Sequence, residues 1–220
     1  MATQVESVFA PEIRSLPSGS SGLSREVVAA SQHQRLIHGV TMAVADRGFA
    51  ATTITDITER AGVSKKTFYE HFADKLACFL AAYDHGSGAL LQAVADAATN
   101  DLGDAVGQLR AGTRAYVDFL VFEEPYARTF CLEMLAAGPE AVARHRLCRD
   151  AFGESLRAWH DRNRPDHPEW PTVSPLAYEA ATGAVYELCS ARVATDRTHE
   201  LPELTGELVA TQLALLGITA

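Results

Sequence analysis

The sequence lacks the patterns that mark membrane-spanning and secreted proteins. It has no run of about 18 or more apolar residues, so no membrane-spanning helix and no membrane partner are predicted. The first residues do not show the basic-then-apolar order of a signal peptide. The four cysteines include no CxxC pair and have no histidine at zinc-finger spacing. We therefore expect a cytoplasmic protein whose thiols are reduced and mostly buried.

Motifs of common enzyme classes are also missing. The chain has no G-x-S-x-G nucleophile elbow, no glycine-rich loop that would hold a phosphate and no H-E-x-x-H metal site. Its acidic residues are scattered rather than paired. These absences argue against an enzyme, and we predict no cofactor and no bound metal. A metal-responsive protein is an alternative, because His145 and Cys148 are three residues apart and can share a helix face.

Lysine is scarce, and its distribution is informative. The three lysines of this 220-residue chain, Lys65, Lys66 and Lys75, lie within eleven residues of one another. Residues 1–75 hold 8 Lys+Arg and 8 Asp+Glu, whereas residues 76–220 hold 11 and 20, so the net charge of -9 belongs to the second part. An acidic body argues against binding phosphates over a wide surface. It favours a small, directed contact with nucleic acid.

The segment around the lysines has the pattern of a helix-turn-helix. The apolar residues of two short helices repeat at three- or four-residue spacing: Ile54, Ile57 and Ala61 in the first, Phe68 and Phe72 in the second. Between them, Gly62 is the residue type that ends a helix in the left-handed conformation. Ser64 is a good N-cap for the second helix. The segment therefore reads as a DNA-binding unit.

The second helix of this unit would meet the DNA. With Phe68 and Phe72 facing inward, the opposite face carries Lys66 and Glu70. Base readout in the major groove is predicted for the residues at the start of the helix: Lys65, Lys66 and Thr67. Contacts with phosphate oxygens are predicted for Thr53, Tyr69, His71 and Lys75.

The remaining sequence predicts an all-α protein of three parts. Residues 1–23 are polar and flexible in composition and predict a disordered arm, from which Arg14 and Arg25 would reach DNA unless the arm is only a solvated tail. Residues 24–73 form a three-helix DNA-binding domain. Residues 74–220 form a helical body. Its helices are predicted at about 75–99, 104–122, 125–136, 139–162, 174–196 and 203–217.

The sequence resembles the N-terminal signature of TetR-family transcriptional regulators. The resemblance covers about residues 31–84 and is carried by Gly48-Phe49-Ala-Ala-Thr-Thr-Ile54, Ala61-Gly-Val-Ser64, Thr67-Phe-Tyr69, His71-Phe72 and Lys75. It implies a homodimer on a palindromic DNA operator, usually a repressor, that is released by a small-molecule effector. By position it implies a phosphate contact at Ser64 as well. Lys66 departs from the family, in which many members have glycine there. An activator with the same DNA-binding domain is an alternative.

The family architecture implies a cavity and a dimer interface in the body. The predicted cavity lining is Phe119, Phe122, Phe130, Met134, Trp159 and Tyr178, which would favour a largely apolar effector; His145 and His160 are candidate polar groups. The last two helices carry one stripe of small residues and one of leucines, which are typical of close helix packing. The predicted interface is Ala177, Ala180, Ala184, Leu204, Leu208 and Leu215.

Overall fold

The structure, a computed structural model, describes residues 7–9, 24–101 and 103–219. These residues form α-helices, two short 3-10 helices (Arg164–Asp166 and Thr198–Leu204) and no strand, which confirms the predicted all-α class. The α-helices are α1 (Arg25–Arg47), α2 (Ile54–Ala61), α3 (Lys65–His71), α4 (Lys75–Asn100), α5 (Ala105–Phe122), α6 (Glu124–Leu132), α7 (Pro139–Asn163), α8 (Pro175–Ala194) and α9 (Thr205–Leu215). None of the described helices is long and apolar enough to cross a membrane.

Local side-chain contacts hold the helix-turn-helix. At the start of α2, Thr53 and Asp56 form a reciprocal capping box: the Thr53 N–H donates to the Asp56 carboxylate at 2.8 Å, and the Asp56 N–H donates to Thr53 Oγ1 at 3.2 Å. Gly62 ends α2 with a φ of 62°, which glycine adopts without steric penalty. Ser64 caps α3 by accepting from the Thr67 N–H at 3.0 Å. The predicted turn chemistry is confirmed.

Two of the predicted body helices are shorter than expected. Helix α6 ends at Leu132 rather than near residue 136, because the chain turns at Glu133, whose side chain reaches back to the DNA-binding domain. Helix α9 begins at Thr205, after the 3-10 helix that contains Pro202. Proline lacks the N–H that an α-helix interior needs. The other body helices begin and end within two residues of their predicted bounds.

One buried cluster joins the first three helices to the body. Leu36 and Val40 of α1 and Phe68 of α3 are fully buried, and the same cluster continues through Phe79 of α4 and Phe130 of α6. Helix α1 therefore packs on both α4 and α6. A second cluster around the two tryptophans lies between α5, α7, α8 and α9. The apolar core does not stop at the predicted domain boundary near residue 74.

A short piece of the predicted arm is packed against the body. Phe9 is 3% exposed and stacks on Tyr126 with ring centroids 5.4 Å apart. The Val8 N–H donates to the buried Glu123 carboxylate at 2.7 Å, and the Val8 carbonyl lies 2.8 Å from His85 Nε2. The prediction of a disordered arm is therefore wrong for residues 7–9, because one aromatic side chain supplies the apolar surface that the rest of the segment lacks. The other residues of the arm, Arg14 included, lie outside the described residues, and Arg25 is the first residue of α1.

Candidate nucleic-acid interface and internal cavity

The exposed face of α3 carries the predicted base-reading residues. Phe68 is fully buried and Phe72 is 7% exposed, so the predicted inward face is confirmed. Lys65 and Lys66 are exposed at the start of the helix, and Tyr69 is 59% exposed one turn further on. The Lys66 ammonium lies 3.8 Å from the Glu70 carboxylate, a weak surface ion pair that does not prevent either side chain from moving. Two cations and a phenol hydroxyl thus share one accessible surface.

The hydroxyl groups near the helix starts are engaged in caps. Thr67 is half-buried, and its Oγ1 lies 3.0 Å from Ser64 Oγ. The Thr53 hydroxyl donates to the Asp56 carboxylate at 2.6 Å, and hydrogen bonding from Thr53 holds the pKa of Asp56 below its usual range. A phosphate at Thr53 would approach this carboxylate, with Arg47 3.4 Å from it on the other side. The backbone N–H groups of Thr53 and Thr67 also donate to these caps, so the methyl groups are the parts of the two residues that remain for DNA.

Lys75 and His71 also have partners within the protein. The Lys75 ammonium donates to the carbonyls of Phe49 at 2.6 Å and Thr52 at 2.8 Å, and it lies 4.2 Å from the centre of the Phe49 ring. Burial lowers the pKa of Lys75. One of its three N–H groups remains for a phosphate. His71 Nε2 lies 3.3 Å from Gln32 Oε1. The phosphate contacts predicted for Ser64, Thr53, Tyr69, His71 and Lys75 stay predictions; Thr53, Ser64 and Tyr69 are exposed, and His71 and Lys75 are half-buried.

Helix α6 is tied to the DNA-binding domain by two hydrogen bonds. The Glu133 carboxylate, just after α6, accepts from the Phe49 N–H at 2.8 Å. The Thr129 hydroxyl donates to the Thr41 carbonyl of α1 at 2.9 Å, in a fully buried position. These contacts connect the end of α6 to α1 and to the loop that precedes α2. They were not predicted, because sequence separation of more than eighty residues leaves no local pattern.

The body contains a partly open cavity of about 130 Å³ between α4, α5, α6, α7 and α8, and Gln212 of α9 is also part of its lining. Its wall on α5 is formed by residues that repeat at three- or four-residue spacing: Leu109, Gly112, Thr113, Tyr116 and Leu120. Most of the remaining lining is aliphatic or aromatic: Leu90, Val94, Tyr126, Phe130, Phe152, Leu156, Trp159, Val185 and Tyr186. Such a lining suits an apolar ligand.

Two of the six residues predicted to line a ligand cavity lie in the lining of this one. Phe130 and Trp159 line the cavity. Phe119 packs edge-on against Tyr126, and Met134 is buried in the core, so neither reaches it. Phe122 is the last residue of α5 and is 51% exposed. Tyr178 belongs to the second buried cluster and lies 2.8 Å from His160 Nδ1. These four assignments are corrected: α5 and α8 direct other residues into the cavity, and Met134 lies beyond the end of α6.

One part of the lining is polar and was only partly predicted. The Tyr83 hydroxyl lies 3.0 Å from His145 Nδ1, and burial raises the pKa of Tyr83 far above its usual value. Burial also lowers the pKa of His145 and raises that of the neighbouring Cys148. One turn further along α7, the Arg149 guanidinium lies 5.6 Å from the centre of the Tyr186 ring. This group, Tyr83, His145, Arg149 and Tyr186, is called the polar rim below.

The predicted interface residues differ in accessibility. Ala180 is exposed, Leu215 is 42% exposed, and Ala177, Ala184 and Leu204 are half-buried. Leu208 is only 1% exposed, because its face of α9 packs into the protomer's own core. Its assignment to an interface between two copies is therefore wrong. The exposed side of α8 also carries Leu176 and Leu188, at 68% and 37%.

The chain is similar to bacterial transcription regulators. Residues 36–82 match the family model described as bacterial regulatory proteins, tetR family. Over 140 residues the chain is 26% identical to the HTH-type transcriptional activator FasR of Mycolicibacterium smegmatis, covering 64% of each protein. Over 55 residues it is 42% identical to the uncharacterized HTH-type transcriptional regulator YerO of Bacillus subtilis, covering 25% of this chain and 19% of YerO. The matches thus span less than two thirds of either relative.

Solved structures share the fold over most of the chain. The fatty acid degradation regulator FadR from Bacillus halodurans aligns with a TM-score of 0.74 and 17% identity, covering 86% of this chain and 100% of that one. FadR from Bacillus subtilis in complex with stearoyl-CoA aligns with a TM-score of 0.75 and 16% identity, covering 85% and 100%. These neighbours and the matched family are transcription regulators rather than enzymes. The part of the chain that matches a family model, residues 36–82, is thus a helix-turn-helix segment similar to that of bacterial regulatory proteins of the tetR family.

Proposed function

We propose that this protein is a homodimeric repressor that binds a palindromic operator and is released by a small, largely apolar molecule. One observation carries the proposal. Helices α4 and α6 both line the cavity, and both also pack on α1 of the DNA-binding domain. A molecule that changes the separation of α4 and α6 would change the position of α3. We also propose that the boundary between the DNA-binding domain and the body lies near residue 74, and that the protein is cytoplasmic.

The DNA contact is proposed on the exposed face of α3. Lys65 and Lys66 would donate to guanine acceptors in the major groove, and the Thr67 methyl group would touch a thymine methyl. Tyr69 would donate to a phosphate oxygen and set the orientation of the helix. The acidic body keeps the remaining surface away from DNA, so the two α3 helices of a dimer would supply most of the contact.

The proposed effector carries an apolar chain. The cavity lining supports this, since its α5 wall and most of its remaining surface are apolar. FadR from Bacillus subtilis, which shares the fold, was solved with stearoyl-CoA. We therefore propose a long acyl chain, free or as a thioester, as the first ligand class to test. A metal effector is less well supported, because no group of three or more metal-binding side chains occurs among the described residues.

Release from DNA would follow from differential affinity. A ligand shifts a two-state equilibrium only if it binds one state more tightly than the other. Phe130 of α6 packs against Phe79 and Tyr83 of α4, with ring centroids 5.0 and 5.4 Å apart. A chain that enters beside Phe130 would alter this contact and, through Glu133, the position of Phe49. The two DNA-binding domains of the dimer would then no longer have the spacing that operator binding requires.

The dimer interface is proposed on the exposed faces of α8 and α9. Ala177, Ala180 and Ala184 would allow the two α8 helices to approach closely, with Leu204 and Leu215 at their sides. Two-fold symmetry would place the two recognition helices roughly 34 to 36 Å apart, which is one turn of DNA. Four helices, two from each copy, would form the interface.

The experiment is selection of bound sequences from a random DNA pool with the purified full-length protein, at two salt concentrations. We expect a palindromic motif, and loss of that binding when stearate or stearoyl-CoA is added. Binding without a motif, or a motif that is not palindromic, would overturn the proposal. Because the relative FasR is named an activator, activation is the second candidate. A reporter that carries the operator upstream or downstream of its promoter distinguishes the two.

A further inference from the structure

We propose that the polar rim of the cavity binds an anionic group on the ligand, through Arg149 and His145. This inference rests on the proposed function and adds a second chemical requirement to the ligand. The molecule would carry an apolar chain for the cavity and a negative charge, as a carboxylate or a phosphate, at one end. The rim is formed by α4, α7 and α8, and His145 and Arg149 are neighbours on one face of α7.

Arg149 is the one permanently charged side chain among the cavity-lining residues that the structure describes. The side chain is exposed, with its guanidinium over the Tyr186 ring. A Cβ atom at position 183 would lie 2.8 Å from Arg149 Nη2, so Gly183 leaves a notch in α8 for this group. A cation that packs into a notch at the cavity edge is positioned for a ligand there.

Arg149 has no carboxylate partner within the described part of the chain. Five of the eleven arginines of the body have one: Arg114 with Asp118, Arg128 with Asp196, Arg144 with Asp84, Arg157 with Asp161, and Arg197 with Glu200. Of the six arginines without a carboxylate partner in the described part of the chain, Arg149 is the one that lines the cavity. The body carries 20 Asp+Glu residues against 11 Lys+Arg, so an unpaired arginine is not forced by a shortage of acidic residues. The Arg149 guanidinium is therefore available to bind a planar oxyanion.

His145 supplies a second donor to the same place. The Tyr83 hydroxyl lies 3.0 Å from His145 Nδ1, and in the tautomer that we assign to His145 this hydroxyl donates to Nδ1. The proton of the neutral imidazole then lies on Nε2. His145 is half-buried and packs against Tyr186 at 4.8 Å between ring centroids. An anion between His145 Nε2 and Arg149 would accept from both.

Several polar groups elsewhere in the lining are already satisfied. Gln212 donates to Thr113 Oγ1 at 2.9 Å, and the Trp159 indole N–H donates to the Ala105 carbonyl at 2.9 Å. Gln108 accepts from Asn163 at 3.3 Å. A charged group placed at that end would lose its water without gaining a cation. The anionic end of the ligand therefore belongs at the rim, with the chain between α4 and α5.

The test compares three ligands that share one chain: stearate, octadecanol and stearoyl-CoA. Dissociation constants are measured by calorimetry with the full-length protein, its Arg149→Gln variant and an Arg146→Gln control. Arg146 is exposed on the same helix and is not part of the lining. We expect stearate to bind about tenfold more tightly than octadecanol, as one charge-assisted hydrogen bond provides. Arg149→Gln should remove that difference and leave octadecanol unchanged, whereas Arg146→Gln should keep it.

The other possible results of this comparison also decide for or against the rim. Equal binding of stearate and octadecanol by the unmodified protein, or an Arg149→Gln variant that weakens both equally, overturns the rim while leaving the apolar-chain proposal standing. If only stearoyl-CoA depends on Arg149, the anion at the rim is a phosphate rather than a carboxylate. If none of the three binds, the proposed ligand class fails and the rim fails with it.

Discussion

The Glu133 carboxylate of the body accepts a hydrogen bond from the Phe49 backbone N–H of the DNA-binding domain at 2.8 Å. Glu133 follows α6, whose residues Tyr126 and Phe130 line the cavity, and Phe49 precedes α2. The Lys75 ammonium donates to the carbonyl of the same Phe49. The backbone of one residue therefore receives contacts from α6 and from α4, the two helices that a ligand would separate.

Replacing Glu133 with alanine should uncouple the ligand from the operator. The change leaves a partly buried N–H unpaired, at a cost of about 1–3 kcal/mol, and removes the direct link from α6. Ligand affinity should stay within about twofold, while the ligand-induced loss of operator affinity should fall about tenfold. Titration of labelled operator with and without stearate measures both. Glu124→Ala, on the exposed start of α6, is the control; equal coupling in both variants would contradict the prediction.

Two substitutions on α3 should distinguish a residue that contacts phosphate from a residue that reads bases. Tyr69→Phe removes one donor to phosphate and should weaken binding to all sequences similarly, about two- to tenfold. Lys66→Ala should instead change the preferred base at one operator position, by about 1–3 kcal/mol. Selection from a random pool, repeated with each variant, reads out both effects. If neither variant alters binding, α3 does not face the DNA.

The proposed dimer interface can be tested by a substitution at Ala180 of α8. Because Ala180 is exposed on α8, Ala180→Glu should leave the fold intact and give monomers in sedimentation. Ala158→Glu, on an exposed position of α7, is the matched control and should remain dimeric. Leu208→Glu should lower the melting temperature strongly instead, since it buries an unpaired charge inside the protomer. A dimeric Ala180→Glu variant would place the interface elsewhere.

Truncation of Phe9 should destabilise the body. Its ring is buried between His85 and Tyr126, so Phe9→Ala should lower the free energy of unfolding by about 1–3 kcal/mol, less than a core phenylalanine because only a short segment detaches. Urea unfolding measures the change. Deleting residues 1–9 should have a similar effect, and Phe122→Ala, at a 51% exposed position of α5, serves as the matched control. A deletion that leaves stability unchanged would show that the segment does not dock.

Short-range chemistry made the DNA-binding domain predictable. The caps at Thr53 and Ser64 and the turn at Gly62 depend on residues a few positions apart, so their pattern is visible in the sequence. The cavity depends on how each helix is rotated against its neighbours. Tyr116 and Phe119 are equally apolar and three residues apart, yet only Tyr116 reaches the cavity. The three- and four-residue repeat of the α5 cavity wall is visible in the sequence. No short-range pattern, however, identifies which apolar stripe of α5 faces the cavity.

Long-range contacts account for the other differences. The docking of Phe9 depends on Tyr126 and on Glu123, more than a hundred residues away. Leu208 lies in a leucine stripe that suits an interface or a core equally well, and only the packing of α9 decides between them. Sequence patterns indicate that a face is apolar; they do not indicate which partner covers it.

Because the lysines are clustered, an amine-directed reagent can modify the exposed face of α3 selectively. Lys65 and Lys66 are exposed, whereas the Lys75 amine is held by two carbonyl oxygens. An amine-directed reagent applied to the native protein would therefore modify side chains on α3 and leave the side chains of the acidic body untouched. Bound operator would shield the same two amines. The rate of their modification would report occupancy of the DNA directly, without an added label or an engineered cysteine.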